Sequence, residues 1–382
     1  MLEHGILSHS KIVSTGLPFK RIYSQSIVEG RQHRTTPEGR TLWDYANLYF
    51  QPRNAMLYQV SRQTSLDDIC VVGVRQSVLN RPDVFITTGN AASYQSEILP
   101  KAAGNRRVRE IIRNTDKEWW SDLDGSKRQM MAECLVPDAI AAEDLAAIYV
   151  GTTTALAKVQ ADLRGTSTQA TREPSMFFLP QRLVRVSDHL TLSDGDLFFS
   201  GMQTLTISVN TAGVMGKGLA STAKWRFPDV YVKYQDLCRR KILKMGKPVV
   251  VKRERSVEED LAEDPASVNG NGAHETWFLL FATKDHWRNN ADPVGIEQGL
   301  IWLRDHYRDE GISSLALPAL GCGLGNLTWH QVGPMMCRYL EGMSIPSSIY
   351  LPTPEPPLEQ LTREFLLTAD NSSAASQGSF GL

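Results

Sequence analysis

Two glycine-rich loops and two isolated charged groups are the places where residue type and spacing point to chemistry. Asn210 closes an apolar run and leads through Gly213-Val214-Met215-Gly216-Lys217-Gly218-Leu219 into a helical stretch from Ala220. Glycines there let the backbone approach a ligand closely, and the N–H groups of a helix start favour phosphate oxygens. Gly321-Cys322-Gly323-Leu324-Gly325 repeats the arrangement after Leu315-Ala316-Leu317-Pro318. Open α/β sheets place ligands at such strand ends, and two loops of this kind would grip a diphosphate from both sides. Either loop alone is equally well a structural turn. Earlier in the chain, Arg53 sits among the rings of Trp43, Tyr45, Tyr49, Phe50 and Tyr58, and Glu133 opens the apolar run Cys134-Leu135-Val136. The first reads as a packed strand pair capped by an arginine. The second is either surface alternation in a strand or a catalytic carboxylate.

The elements that must position these groups follow from pattern. A chain of 382 residues suggests two domains, and 42% hydrophobic with 22% charged residues excludes a disordered chain, a collagen-like repeat and a membrane bundle. A net charge of −1 argues against a globally basic nucleic-acid binder but not against a local basic groove. Five cysteines without a Cys-x-x-Cys pair, and scattered histidines, point to neither a disulfide framework nor a metal site. Neither a long apolar span nor a signal-peptide pattern is present, so the expectation is a cytoplasmic protein with no membrane association. In the first half Met56 to Val60, Asp68 to Val74 and Val84 to Thr87 read as strands, and Ala102 to Asn114 as a basic amphipathic helix. In the second half Leu190 to Leu192, Leu205 to Val209, Val249 to Val251, Trp277 to Ala282, Ser314 to Leu317 and Ser348 to Leu351 read as strands. Helices are expected at Ala220 to Phe227, Val294 to Tyr307 and Gln331 to Leu340, an α/β alternation. The stretch from Arg164 to Ser175 is polar and aperiodic, and predicts a linker. Glu258 to Asp264, followed by Asn269-Gly270-Asn271-Gly272, predicts a solvated acidic insertion.

The second half resembles the macrodomain family of ADP-ribose binders. The likeness covers roughly Val184 to Pro352 and rests on Gly195-Asp196-Leu197-Phe198, Val209-Asn210 and the two glycine loops, in that order. It is greatest to the branch that removes ADP-ribose from nucleobases or acidic side chains, including the antitoxin DarG. The resemblance implies that Asp196 hydrogen-bonds the adenine amino group with Leu197 beside it, that Asn210 faces the distal ribose, and that the loops hold the diphosphate. It also implies that Lys284, in Phe281-Ala282-Thr283-Lys284-Asp285, is the catalytic lysine. Desolvated in a pocket, such a lysine can lose its proton and attack an anomeric carbon, or serve as an acid to the leaving base. Some relatives carry an acidic residue after Gly-Cys-Gly-Leu; here Gly325 and Asn326 follow, which matches the lysine-only pattern of DarG.

The first half resembles the DarT family of DNA ADP-ribosyltransferase toxins. The strings that carry this are Tyr49-Phe50-Gln51-Pro52-Arg53-Asn54-Ala55-Met56-Leu57-Tyr58, Phe85-Ile86-Thr87-Thr88-Gly89-Asn90-Ala91 and Ala132-Glu133-Cys134-Leu135-Val136, within about Met1 to Val150. The resemblance implies an α+β ADP-ribosyltransferase fold that uses NAD+, with Glu133 as catalytic glutamate and Arg53 as catalytic arginine, acting on thymidine in single-stranded DNA. A strand-binding groove needs cations and stacking surfaces, which Arg106, Arg107, Arg109, Arg113, Lys117, Trp119 and Trp120 would supply, although a solvated helix face has the same composition. The chain opens at a point corresponding to one after the family's first strand and helix, so an amino end truncated by a few tens of residues is expected.

Together these readings predict a transferase domain over 1–163, a linker over 164–183, a macrodomain over 184–355 and a tail over 356–382, disordered at its end. The expected function is a fused toxin and antitoxin that marks thymidine with ADP-ribose from NAD+ and removes the mark. The alternative is an inactive transferase-like module that delivers an active hydrolase to modified DNA.

Overall fold

In the computed structural model, which describes residues 1–19, 25–269 and 275–368, the chain divides into two units. Met1–Leu179 and Glu258–Ala273 form the first; Pro180–Val257 and His274–Leu382 form the second.

The strands of the first unit are β1 (Ile6–Leu7), β2 (Tyr45–Tyr49), β3 (Val71–Val74), β4 (Phe85–Thr87), β5 (Ile98–Pro100), β6 (Glu133–Pro137), β7 (Ala139–Ile140), β8 (Leu145–Val150) and β9 (Gln169–Arg172). Its larger sheet has the order β2-β6-β4-β5, all antiparallel. β6 is buried along its whole length because apolar clusters cover both faces: Ala46, Val84 and Val136 on one, Tyr45, Phe85 and Leu135 on the other. That explains its unbroken apolar sequence, and it carries Glu133 into the interior. The helices here are α1 (His9–Thr15), α2 (Gln25–Gln32), α3 (Ala55–Gln63), α4 (Lys101–Thr115), α5 (Ser126–Met130) and α6 (Thr153–Asp162).

Three expectations need correction. Met56 to Val60 is part of helix α3, not a strand: the Asn54 side chain accepts from the backbone N–H groups of Met56 and Leu57, and this N-cap outweighs the β-rich composition. The stretch expected as a linker contains β9, which pairs in parallel with β8, and a short 3-10 turn, Pro174–Phe177, followed by buried Phe178. An edge strand of this kind needs only its backbone groups, so its polar sequence gives no apolar signal. The acidic insertion is not simply solvated. It forms α9 (Val257–Leu261) and α10 (Pro265–Asn269), with Leu261 and Ala262 fully buried. Residues 270–272 of the Asn-Gly repeat lie outside the described residues.

The second unit is a seven-stranded mixed sheet built from β10 (Leu183–Arg185), β11 (Leu190–Ser193), β12 (Thr204–Asn210), β13 (Val249–Val251), β14 (Trp277–Lys284), β15 (Leu315–Pro318) and β16 (Ser347–Tyr350). Its order is β10-β11-β16-β15-β12-β14-β13; the inner five strands are parallel and both edges antiparallel. The helices are α7 (Gly218–Arg226), α8 (Pro228–Arg239), α11 (Pro293–Glu310), α12 (Trp329–Glu341) and α13 (Arg363–Thr368). Leu361 and Leu366 join the same core as the sheet, so part of the expected tail is folded; residues 369–382 lie outside the described ones.

α11 lies close on β14 because it has glycine at the contact: a Cβ on Gly299 would stand 2.5 Å from Phe281 Cζ. In an exposed helix Gly→Ala stabilises by roughly 0.5–1 kcal/mol. Here Gly299→Ala is expected to destabilise the second unit by about 1–3 kcal/mol through overpacking, which denaturant titration would read by the sign of the change.

Candidate active sites

In the second unit, the end of β12 lies beside the end of β14, and the register pairs Asn210 with Lys284 after a shift at Val209. Asn210 is almost fully buried and both ends of its amide are engaged. Nδ2 donates to the Val214 carbonyl at 2.6 Å, while Oδ1 accepts from Ala212 N at 3.0 Å and from the Tyr234 hydroxyl at 3.1 Å. Asn210 therefore shapes the first glycine loop from below. The Lys284 ammonium donates to the Leu324 carbonyl of the second loop at 2.8 Å, and burial lowers its pKa from the ordinary lysine value.

The loops face each other: a Cβ on Gly218 would meet Leu324 Cδ1 at 3.3 Å. Gly213, Gly218, Gly321 and Gly323 have positive φ, which other residues adopt only with strain. Gly325 has no room for a side chain, since a Cβ would stand 2.3 Å from the Gly321 carbonyl oxygen. Met215 is buried and anchors the first loop, while Val214, Gly216, Lys217, Gly323 and Leu324 are exposed along the cleft, with Leu219 and Cys322 half-buried. Asp196 caps the turn at Leu197–Phe199 by accepting from Phe198 N at 3.0 Å, and Leu197 is buried beneath it. Its second carboxylate oxygen pairs with Arg226, whose guanidinium lies over the Phe198 ring. Motif reading found Asp196 but missed Arg226, which comes from the end of α7 and has no local signal.

In the first unit Glu133 is completely buried and surrounded by donors. Arg31, from α2, makes a bidentate pair at 3.2 and 2.8 Å, and the Ala91 backbone N–H donates to Oε1 at 2.8 Å. Thr87 Oγ1 accepts from the Glu133 backbone N–H at 2.8 Å and so fixes the strand end. Charge-assisted forks of this kind set both the position and the plane of a carboxylate. Tyr49 is opposite Glu133 across the β2–β6 ladder, and its hydroxyl pKa is raised by burial and then by the carboxylate.

Arg53, the arginine that motif reading selected, is not the partner of Glu133. It lies in the turn before α3 with its guanidinium over the Phe178 ring, 4.9 Å from the centroid. Of the residues expected to bind DNA, Arg106, Arg109 and Arg113 are exposed on α4, and Trp119 is half-buried. Arg107 is tied to Glu97 and Glu110, and Trp120 is buried against Tyr58 and Phe178 rather than offering a stacking surface. No group of three or more metal-ligating side chains occurs among the described residues, and no helix among them is long and apolar enough to cross a membrane.

A mixed sheet with two facing glycine loops at its parallel strand ends is a macrodomain, and it follows a unit with the fold of an ADP-ribosyltransferase. Residues 1–178 match the family model described as "ssDNA thymidine ADP-ribosyltransferase, DarT". A "DNA ADP-ribosyl transferase-DNA ADP-ribosyl glycohydrolase fusion protein" of Thermosipho africanus is 47% identical over 96% of this chain and 95% of its own. The solved structure of Thermosipho africanus DarTG in complex with ADP-ribose matches with a TM-score of 0.90 at 47% identity, covering 96% of each chain. A DNA ADP-ribosyl glycohydrolase of Mycobacterium tuberculosis is 34% identical over 143 residues, 37% of this chain and 36% of its own. The chain belongs to the DarTG family of fused DNA ADP-ribosyltransferases and DNA ADP-ribosyl glycohydrolases.

Removing Arg31 would strand the Glu133 carboxylate in the interior. Arg31→Ala is expected to cost the first unit about 3–5 kcal/mol, and adding Glu133→Gln to it should recover part of that loss. Urea titration of the two single variants and the double variant, followed by intrinsic fluorescence, would measure the coupling.

Proposed function

We propose that the first unit transfers ADP-ribose from NAD+ to a thymidine base in single-stranded DNA, and that the second removes it. The observation that carries this is family membership along nearly the whole chain, with an intact carboxylate site in one unit and an intact lysine site in the other. A fully partnered Glu133 favours an active transferase over a degenerate DNA-binding module. Joining the halves keeps the hydrolase at high effective concentration beside its substrate. The chemistry needs NAD+ and DNA, and the five cysteines are free, which supports a cytoplasmic location.

In the transferase step the bond from the ribose anomeric carbon to nicotinamide breaks, nicotinamide leaves with the electron pair, and a thymine ring nitrogen bonds to that carbon after giving up its proton. Glu133, held in one plane by Arg31 and Ala91, stabilises the oxocarbenium-like centre. Arg53 binds diphosphate or orients the base, and the exposed cations of α4, with Trp119 and Arg107 at its margins, track the strand's phosphates. In the hydrolase Asp196, steadied by Arg226, holds adenine with Leu197 beneath. Asn210 holds the Gly213–Leu219 loop under the distal ribose, and the loop Gly321–Gly325 closes on the diphosphate. Lys284 then attacks the anomeric carbon as the bond to the thymine nitrogen breaks; the base leaves with the electron pair and takes a proton from solvent, and water frees the ribose from the lysine.

Glu133→Ala should lower thymidine-dependent release of nicotinamide from NAD+ by about 10²-fold or more. An unchanged rate would remove Glu133 from the chemistry. Lys284→Ala should leave ADP-ribose on a pre-marked oligonucleotide. As a nucleophile Lys284 must be neutral, so the hydrolase rate should rise with pH and level off below the ordinary lysine pKa of about 10.4. A rate that falls with pH would instead assign it the role of acid.

A further inference from the structure

The acidic stretch at Glu258 lies in the chain between β13 and β14 of the second unit, yet it folds with the first. Its attachments there are specific. The Leu261 carbonyl accepts from Trp120 Nε1 at 2.8 Å, the Asp264 backbone N–H donates to Gln59 Oε1 at 2.8 Å, and Glu263 Oε1 accepts from Asn90 Nδ2 at 2.6 Å. Leu261 and Ala262 are fully buried and Val268 nearly so. The segment is thus fastened to the loop before α5, to α3 and to the turn after β4.

That last attachment is the informative one. Asn90 precedes Ala91, whose N–H holds Glu133, so Glu263 stands next to the anchor of the catalytic carboxylate. Burial, with the nearby Glu133 charge, pushes the Glu263 carboxyl up to about 7 against the pull of its Asn90 hydrogen bond. Arg31 and Tyr49 both feel the two carboxylates. Glu263 also walls a cavity of about 450 Å³ together with His33, Asn90, Ser93 and Tyr94. The transferase family match ends at residue 178, well before the segment. What the segment adds is a carboxyl and a stretch of buried backbone where an anionic strand and a dinucleotide must approach, so it occupies that space and, when ionised, also repels both.

We propose that Gln59, Asn90 and Trp120 form a docking surface for an acidic peptide, that its occupant is the chain's own segment 258–269, and that this strap competes with single-stranded DNA for the transferase site. The competition rests on the transferase reading given above, whereas the docking does not.

The test uses the full chain with segment 258–269 replaced by a Gly-Ser stretch of equal length, and separately with Glu263→Gln. Binding of a fluorescent thymidine-containing oligonucleotide should tighten by about tenfold or more in the replacement, with a smaller gain for Glu263→Gln. Initial nicotinamide release, which the hydrolase cannot reverse, should rise in parallel. A synthetic 258–269 peptide should restore the weaker binding. Unchanged or weaker oligonucleotide binding, with both melting transitions intact, would overturn the proposal and make the segment a structural part of the transferase. Should the replacement unfold the first unit, hydrogen exchange decides: amides of 258–264 in the native chain should lose protection when the oligonucleotide is added, and unchanged protection at saturation overturns the strap. Tighter binding without nicotinamide release in any form would instead overturn the transferase reading and leave the strap standing.

Discussion

A carboxylate with no access to water is the constraint around which the first unit is organised. Burying Glu133 alone would cost several kcal/mol, and the structure offsets this with a guanidinium fork from α2, a backbone N–H from the turn after β4 and a strand end pinned by Thr87. Two separated parts of the chain, α2 and the end of β4 with its turn, must therefore be in place before β6 can hold Glu133 inside. The site is preorganised because its charges cannot be left unpaired.

The second unit solves a different problem. Lys284 stands at a strand end, partly exposed to solvent, and is held by one carbonyl of a glycine loop. The contrast fits the two reactions. A transferase must keep water from a centre that would otherwise hydrolyse, whereas a hydrolase needs water to complete its turnover. Parallel pairing of β12 with β14 places Asn210 beside Lys284 without any long-range ion pair, and the glycine loops follow from backbone conformations that side chains would oppose.

This difference explains what was legible in the sequence. The macrodomain site is made of strand ends and the loops that follow them, so its residues stand in short continuous motifs, and six of its seven strands read from their apolar runs; edge strand β10, at the end of the expected linker, did not. Glu133 was legible as the start of such a run. Arg31 was not: it comes from a polar helix 102 residues away and only the folded sheet brings it to Glu133. Arg53 was legible only through its motif; the ring under its guanidinium is Phe178, 125 positions on, which no local pattern pairs with it. Met56 to Val60 suits a strand or a helix by composition, and a single capping asparagine decides between them. The acidic stretch at Glu258 was misread because charge dominated its composition; the signal of burial was the Leu261-Ala262 pair within it.

The first unit is discontinuous: its main part ends at Leu179, and its last piece begins at Glu258. A ribosome must therefore synthesise the first strands of the macrodomain before that piece exists. At about 5–20 residues per second, the intervening stretch takes several seconds or more to emerge. During that interval the nascent chain presents Asn90, Gln59 and Trp120 without their eventual partners, and their pairing waits for β13. The order of synthesis thus becomes a property of the fold, and exchanging the two halves along the chain would put that piece in place before the residues it pairs with are made.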